Sequence, residues 1–160
     1  MTKVAAAGGR EVAVLSTVQH PHLVRLASVG DGTVSTVAVP GGSLADHLGG
    51  GGRLPWADVV ALLAPVAEAL AALHAAGWVH GDVSTGNILI GDRGGVLADL
   101  GSAHRHDEPG AATGTPGSVA PEVATGNPTS AASDVWSLAA VAREAAGGLP
   151  ASLAIALGDN

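Results

Sequence analysis

The 160-residue sequence predicts an α+β domain in which a small antiparallel sheet is followed by a mainly helical part. Two runs rich in Val and Leu, residues 23–29 and 33–39, flank Gly-Asp-Gly at 30–32 and predict a hairpin. Further along, apolar residues recur at helical spacing over residues 56–76 and 133–146. Hydrophobic residues make up 47% of the chain, which suffices for a globular core.

The remaining elements follow from local spacing and from breaker residues. Apolar side chains at helical spacing predict a first helix over residues 11–18, before a His-Pro pair. Ser43 follows a Pro-Gly-Gly breaker and is placed to cap a short helix. Short strands are expected near Ile88 and Val96, and a Gly/Ala/Pro-rich loop is expected over residues 109–117.

Composition narrows the functional classes. The formal net charge of −7 argues against a surface for nucleic acid or anionic membrane, because both require basic patches. The absence of cysteine excludes disulfides and thiolate metal sites. The most apolar run, residues 59–76, contains Pro65 and Glu68, so we interpret it as a buried helix and not as a membrane span. With no signal-peptide pattern at the amino terminus, we expect a cytoplasmic protein with no nucleic-acid or membrane partner.

The segment His-Gly-Asp-Val-Ser-Thr-Gly-Asn at 80–87 carries the clearest chemistry, together with Asp-Leu-Gly at 99–101. Two carboxylates and one amide at this spacing suit phosphoryl transfer: Asp82 would orient or deprotonate an acceptor hydroxyl, and the other two would hold magnesium against nucleotide phosphates. A turn in which Asp82 and Asn87 only bond to nearby backbone is the simpler alternative for the first segment alone. The second motif, twelve residues after Asn87, favours the functional interpretation.

These two motifs resemble the catalytic loop and the metal loop of the protein-kinase superfamily. The first motif also resembles that of aminoglycoside and choline phosphotransferases. Three other segments favour the Ser/Thr protein kinases. Residues 114–122 resemble the docking loop with its Ala-Pro-Glu element, residues 134–138 the start of the central large-lobe helix, and residues 20–26 the turn into the fourth strand of the small lobe.

The resemblance implies a protein kinase-like fold of the α+β class, truncated at both ends. Residues 1–160 would form a single domain. Residues 1–39 would be a small-lobe remnant of one helix and two strands, and residues 40–160 a partial, mainly helical large lobe.

The resemblance also implies roles for individual residues. Asp82 would be the catalytic base, Asn87 and Asp99 the Mg²⁺ ligands, and Thr115 the threonine that contacts the catalytic aspartate. Asp134 would anchor the catalytic loop from below. The residues expected to contact ATP are Thr36, Val39, Ser43, Asn87 and Asp99.

Several departures from the family pattern predict impaired activity. Glu11 matches the glutamate that pairs with the ATP-orienting lysine. The single lysine, Lys3, lies only eight residues earlier, too close for a pair if a helix begins there. A Gly-rich phosphate loop is absent, and Ser84 stands where the family has a lysine. Gly81 replaces the arginine that receives a phosphorylated loop. We therefore expect weak Mg²⁺-ATP binding and slow transfer, because charge stabilisation is a dominant catalytic term.

Two functional hypotheses remain open: a Ser/Thr protein kinase-like enzyme, and a catalytically dead pseudokinase that acts as a binding module. A small-molecule phosphotransferase is less favoured. The expected partner is a protein substrate or a chain that completes the fold, with self-association as a further expectation, because Leu138 and Val141 would be exposed on the last helix.

Two smaller expectations concern His and Trp. The pattern His104-x-His106 is expected to be a solvated loop and not a metal site. All three tryptophans, at positions 56, 78 and 136, are expected in the core.

Overall fold

The computed structural model describes residues 3–6, 9–30, 33–112 and 114–149 and confirms the predicted α+β class, with an antiparallel sheet followed by a mainly helical part. The strands are β1 (Lys3–Ala6), β2 (Leu26–Gly30), β3 (Thr33–Thr36), β4 (Trp78–Val79), β5 (Ile88–Gly91), β6 (Gly94–Leu97) and β7 (His104–Arg105). The α-helices are α1 (Gly9–Thr17), α2 (Leu44–Leu48), α3 (Trp56–Ala75), α4 (Pro121–Ala124) and α5 (Ala131–Ala146). Short 3₁₀ turns cover Thr85–Asn87 and Leu100–Ser102.

The N-terminal sheet has three described strands in the order β1-β3-β2, all antiparallel. The prediction of one helix and two strands was therefore wrong by one strand. Strand β1 pairs with β3 from Lys3 opposite Thr36 to Ala6 opposite Thr33. Its sequence, Lys-Val-Ala-Ala, is short and half alanine, so its intrinsic strand preference is weak. The pairing with β3, which the sequence does not display, makes it a strand.

The first predicted strand region, residues 23–29, divides between two partners. Strand β2 begins at Leu26, three residues later than predicted, because the preceding residues bond to β6 instead. The N–H of Val24 donates to the Leu97 carbonyl at 2.8 Å, and the N–H of Leu97 donates to the His22 carbonyl at 2.8 Å. This short ladder ties the N-terminal sheet to the β5–β6 hairpin, and the space between the two becomes a cleft.

Helix α3 is the central element of the core. One of its faces buries seven residues: Val59, Leu62, Leu63, Val66, Ala69, Leu70 and Leu73. It is also the one helix in the described part of the chain that is long and apolar enough to cross a membrane. Its contacts with β6 and α5 support the interpretation of a core helix in a globular domain.

Strand β6 lies unusually close to α3, and two glycines permit this approach. A Cβ on Gly95 would lie 2.6 Å from Cγ2 of Val66 and 2.7 Å from the Leu62 carbonyl oxygen. The neighbouring Gly94 has a positive φ of 114°, a conformation that favours glycine. Because the core contains no Phe or Tyr, direct backbone approach takes the place of large side chains in filling this space.

Helix α5 corrects two expectations about exposure. Val141 is fully buried and Leu138 half-buried, because the face carrying Ser137, Val141 and Ala145 turns toward the core. Trp136 lies on the opposite side and is 38% exposed, so it is not the core residue that was predicted. Of the other two tryptophans, Trp78 is buried and Trp56 is half-buried against the core.

We predict that Gly95→Ala destabilises the fold by about 1–3 kcal/mol, because the added methyl group forces β6 away from α3. Urea unfolding monitored by circular dichroism measures the change. Gly9→Ala is the control, since a Cβ there meets no atom within 4 Å. An unchanged midpoint for Gly95→Ala would show that the close approach is not needed.

The capping box of α2 predicts a dependence on pH. Ser43 donates its hydroxyl and its backbone N–H to the carboxylate of Asp46, at 2.7 and 3.1 Å, and these bonds hold the pKa of Asp46 below its ordinary value of 3.8. A lowered folded-state pKa contributes stability above the unfolded value and loses it as the pH falls through the folded value. Asp46→Asn is expected to lower stability at pH 7, and the difference from wild type is expected to shrink well below pH 3.8. Thermal melting of both proteins across this pH range measures the difference in stability. A difference that stays constant at all pH values contradicts the prediction.

Candidate active site

The loop between β4 and β5 is held by a buried carboxylate from α5. Asp134, 1% exposed, accepts the N–H of His80 at 2.8 Å and the N–H of Gly81 at 2.9 Å. Nε2 of His74, in the last turn of α3, lies 2.8 Å from the same carboxylate. Charge-assisted bonds of this kind are stronger than neutral ones. Helix α3, helix α5 and the loop therefore meet at one fixed point, and Asp134 anchors the loop.

The start of the loop also contacts the segment that carries Asp99. The His80 ring is fully buried, and its Nε2 lies 3.1 Å from the Ala98 carbonyl oxygen. Strand pairing completes the arrangement, because Ile88 lies opposite Leu97 in the β5–β6 hairpin. Asn87 precedes one strand and Asp99 follows the other, so the antiparallel hairpin brings both residues to the same end.

Asp82 is half-buried and oriented by two neighbours. The hydroxyl and the N–H of Thr115 donate to its Oδ1 at 2.8 and 3.0 Å. The amide nitrogen of Asn87 donates to its Oδ2 at 3.0 Å and to its carbonyl oxygen at 2.8 Å. Both carboxylate oxygens are thus held in place, and a carboxylate fixed in this way can orient a hydroxyl group and accept its proton.

Asn87 and Asp99 each carry a side-chain oxygen of the kind that Mg²⁺ prefers. Because the Asn87 amide nitrogen faces Asp82, its side-chain oxygen is the atom available to a metal. Asp99 has φ 61° and ψ 77°, the one positive φ among the described residues other than glycine, and its Oδ1 accepts the N–H of Gly101 at 3.3 Å. One carboxylate and one amide oxygen suit Mg²⁺ shared with phosphate groups, which seldom requires a cage made only of protein.

A cleft of about 610 Å³ lies between the N-terminal sheet and the β5–β6 hairpin. Its apolar lining includes Val24, Val34, Val39 and Leu89, and its polar lining consists of Glu11, Thr36, Asn87 and Asp99. This combination of apolar walls and a few polar groups is typical of a small-molecule site. Thr36, Val39, Asn87 and Asp99, all predicted from sequence, lie together here.

Ser43 does not belong to the lining of this cleft. Its hydroxyl accepts the N–H of Asp46 at 3.1 Å and donates to the Asp46 carboxylate, so it caps α2. The cap had been predicted for the same residue, and that role uses the hydroxyl. The expected contact of Ser43 with ATP therefore stays a prediction.

The spacing argument against Lys3 also needs correction. It assumed that a helix starts near Lys3, whereas Lys3 lies in β1 and α1 begins only at Gly9. Glu11 is 8% exposed and lines the cleft. A strand that ends at Ala6, followed by a helix that begins at Gly9, separates the two residues in space differently from a continuous helix. Sequence distance alone therefore does not exclude them from one site.

Two of the residues that depart from the family pattern, Gly81 and Ser84, lie in the loop between β4 and β5. Gly81 has a positive φ of 80°, and a Cβ on it would lie 3.0 Å from the Ser102 carbonyl oxygen. Ser84 is 3% exposed and follows Asp82 by two residues. Neither side chain brings a positive charge to the loop.

The two histidines of the His-x-His pattern point to different partners. His104 is buried, with Nε2 3.2 Å from the Thr129 carbonyl oxygen, whereas His106 is exposed, with Nε2 3.2 Å from the His74 carbonyl oxygen. Within the described ranges, no three His, Cys, Asp or Glu side chains come together to hold a metal. The burial of His104 differs from the solvated loop that was expected.

Sequence reasoning missed Val24 and Leu89 as cleft residues, and His74 as a neighbour of the anchor. Apolar residues in predicted strands identify a buried face but not what that face covers. His74 lies six residues before His80, in a helix that the sequence marks only as apolar.

Comparison with known proteins identifies the family. The family model described as "Protein kinase domain" matches residues 2–153. The chain belongs to the protein kinase family. The match includes both the N-terminal sheet and the loop that carries Asp82.

Individual relatives agree with this assignment. The kinase-family chain is 36% identical over 154 residues to serine/threonine-protein kinase PkaA of Streptomyces coelicolor, covering 88% of this chain and 28% of that protein. It is 43% identical over 103 residues to PknA of Mycobacterium tuberculosis, covering 61% and 24%. It is 33% identical over 141 residues to calcium/calmodulin-dependent protein kinase type 1B of Rattus norvegicus, covering 82% and 41%. The chain thus spans well under half the length of these relatives.

The anchor of the loop between β4 and β5 gives a direct prediction. Asp134→Asn replaces one buried acceptor oxygen with a donor and is expected to cost about 1–3 kcal/mol. Hydrogen exchange resolved by NMR is expected to show faster exchange of the His80 and Gly81 amides. Asp92→Asn, at the exposed turn between β5 and β6, is the matched control. Unchanged protection of both amides would contradict the anchoring role.

Proposed function

We propose that this kinase-family domain transfers the γ-phosphoryl group of ATP to Ser or Thr hydroxyls of proteins. The observation that carries the proposal is the position of Asn87. Its amide nitrogen holds the carboxylate of Asp82, and it lines the same cleft as Asp99. Asn87 therefore links Asp82, the group proposed to activate the acceptor hydroxyl, with a cleft large enough for a nucleotide.

Asp82 is proposed as the base that orients the acceptor hydroxyl and takes its proton. Thr115 and Asn87 position both carboxylate oxygens. Asn87 and Asp99 are proposed to hold Mg²⁺ through one amide oxygen and one carboxylate. Magnesium bound with ATP would neutralise charge on the transferring phosphate. The contact between Thr115 and Asp82 supports a protein substrate over a small molecule, because Thr115 belongs to the docking-loop sequence.

Lys3 is proposed as the cation that contacts the nucleotide phosphates, in place of the expectation that no lysine can do so. Residues opposite each other in an antiparallel pair share a face of the sheet. Lys3 is opposite Thr36, and Ala5 is opposite Val34. Thr36 and Val34 line the cleft, so β1 pairs with the strand that forms part of its wall.

The activity is proposed to be low. With Ser84 and Gly81 in the loop, two cations typical of the family are replaced, and transition-state charge would be less well stabilised. The second candidate, a pseudokinase that binds a partner, is favoured by the same two residues.

A cytoplasmic location is proposed because ATP and Mg²⁺ are available there. Val29, Val135 and Trp136, which are 52%, 60% and 38% exposed, support self-association or a completing partner chain.

Phosphate transfer from radiolabelled Mg²⁺-ATP to a generic Ser/Thr protein substrate tests the proposal. Asp82→Asn is expected to lower transfer by about 10²–10⁴-fold while Mg²⁺-ATP binding persists, because Asp82 acts on the acceptor. Asp99→Asn is expected to weaken both binding and transfer. Lys3→Met is expected to weaken binding more than Lys3→Arg, which keeps the charge.

Asp92→Asn serves as the control for a general effect of removing a carboxylate. Phosphate transfer that persists in both the Asp82→Asn and the Asp99→Asn variant would contradict the proposed enzymatic activity. Absence of transfer in wild type, with Mg²⁺-ATP binding that depends on Asp99, would instead support the pseudokinase.

A further inference from the structure

The ring of His104 is a buried polar group that the proposed chemistry does not use. His104 is 2% exposed. Its Nε2 lies 3.2 Å from the Thr129 carbonyl oxygen, and its Nδ1 lies 3.4 Å from the Ser102 carbonyl oxygen. A neutral imidazole has one N–H to donate, and the shorter distance favours Thr129 as the acceptor. The ring therefore joins β7 to the residue that directly precedes Ser130, the N-cap of α5.

The backbone of the loop after β7 packs directly on this ring. A Cβ on Gly110 would lie 2.5 Å from Nε2 and 2.6 Å from Cε1 of His104, closer than a Cβ atom approaches other heavy atoms in folded proteins. The same Cβ would lie 2.6 Å from Oγ1 of Thr129, and the Thr129 hydroxyl donates to the Ala111 carbonyl at 3.5 Å. Gly110 and Ala111 therefore rest on the pair formed by His104 and Thr129.

The ring also lies beside the loop between β4 and β5. A Cβ on Gly81 would lie 3.3 Å from Oγ1 of Thr129 and 3.6 Å from Nδ1 of His104. The N–H of Gly81 donates to Asp134 of α5. The His104 ring is thus at the place where this loop, residues 110–111 and the start of α5 come together.

The chain that rests on the ring leads to the group that orients Asp82. Thr115 follows Ala111 by four residues, and its hydroxyl and N–H both donate to Oδ1 of Asp82. Ordering each residue of a backbone costs conformational entropy. When Gly110 and Ala111 are already held, fewer residues remain to be ordered before Thr115 reaches the carboxylate.

We propose that His104 is a positioning residue for the acceptor side of the site. Its N–H to Thr129 holds residues 110–111 against the start of α5, and this contact maintains the geometry in which Thr115 donates to Asp82. His104 acts through Thr115 and not on the acceptor or the nucleotide itself. The effect on phosphate transfer rests on the proposed function, whereas the effect on the contact between Thr115 and Asp82 does not.

Variants that remove the donor, move it or close the space around it test this role. His104→Ala removes the donor. His104→Gln places an amide nitrogen near the position of Nε2 and still donates to Thr129, whereas the shorter His104→Asn reaches only the position of Nδ1, on the side of Ser102. Gly110→Ala keeps the ring and forces the loop away from it. His47→Ala, at an exposed position of α2, is the control for the loss of an imidazole.

Exchange of the Thr115 amide hydrogen, measured by NMR in the nucleotide-free proteins, reports its contact with Asp82 without ATP. His104→Ala, His104→Asn and Gly110→Ala are expected to speed this exchange by about 2- to 10-fold, the factor that one hydrogen bond contributes. His104→Gln is expected to stay near the wild-type rate. Amides of α3 report global unfolding and serve as the internal reference. Nitrogen-15 shifts of the wild-type ring are expected to show the proton on Nε2.

Transfer kinetics give the functional readout. His104→Ala is expected to lower kcat/KM for a Ser/Thr protein substrate by about 2- to 10-fold, with Mg²⁺-ATP affinity unchanged in calorimetry, because the acceptor side alone is affected. His104→Gln is expected to restore most of the rate. If wild type transfers no phosphate, the proposed function fails, while the Thr115 exchange pattern still supports the positioning role.

Three results would overturn the positioning role. The first is Thr115 exchange that matches the His47→Ala control or that changes only in step with the amides of α3. The second is a His104→Gln variant no better than His104→Asn. The third is a wild-type ring that carries its proton on Nδ1 alone.

Discussion

The hydrogen bonds to the buried carboxylate of Asp134 are the interaction on which the candidate site depends. A carboxylate that is 1% exposed is costly unless donors surround it. Here the donors are two consecutive N–H groups of the loop between β4 and β5, with the His74 ring beside them. The cost of burying the charge is offset only when the loop has one particular shape. The same loop shape places Asp82 where Thr115 and Asn87 donate hydrogen bonds to its carboxylate.

A second constraint comes from the composition of the core. Without Phe or Tyr, the domain cannot fill the space between α3 and the β5–β6 hairpin with large rings. Gly94 and Gly95 let the hairpin backbone approach α3 directly. This close packing positions the hairpin ends, and with them Asn87 and Asp99. Core packing and the placement of Asn87 and Asp99 are therefore parts of one arrangement, since a shift of β6 would move Asp99 as well.

The coarse fold and the polar residues of the loop could be predicted from sequence, because their signals are local. Helical spacing predicts α3 and α5, a Ser that follows a Pro-Gly-Gly breaker predicts the cap of α2, and the chemistry of Asp82, Asn87 and Asp99 limits which residue types can serve. Lys3 and Trp136 could not be predicted correctly. Strand β1 exists through pairing with β3, and the exposure of Trp136 depends on which face of α5 meets α3.

By itself, the sequence determined the α+β class, the order of the main helices and the resemblance to the kinase family, since these depend on residue type and on short spacing. The tertiary structure decided which residues share the cleft, that Ser43 caps a helix outside it, and that Lys3 lies on a strand opposite Thr36. It also brought the His104 ring to the Thr129 carbonyl, across 25 positions of the sequence. Contacts between distant segments arise from packing and strand register, and neither is encoded in the local pattern of residues.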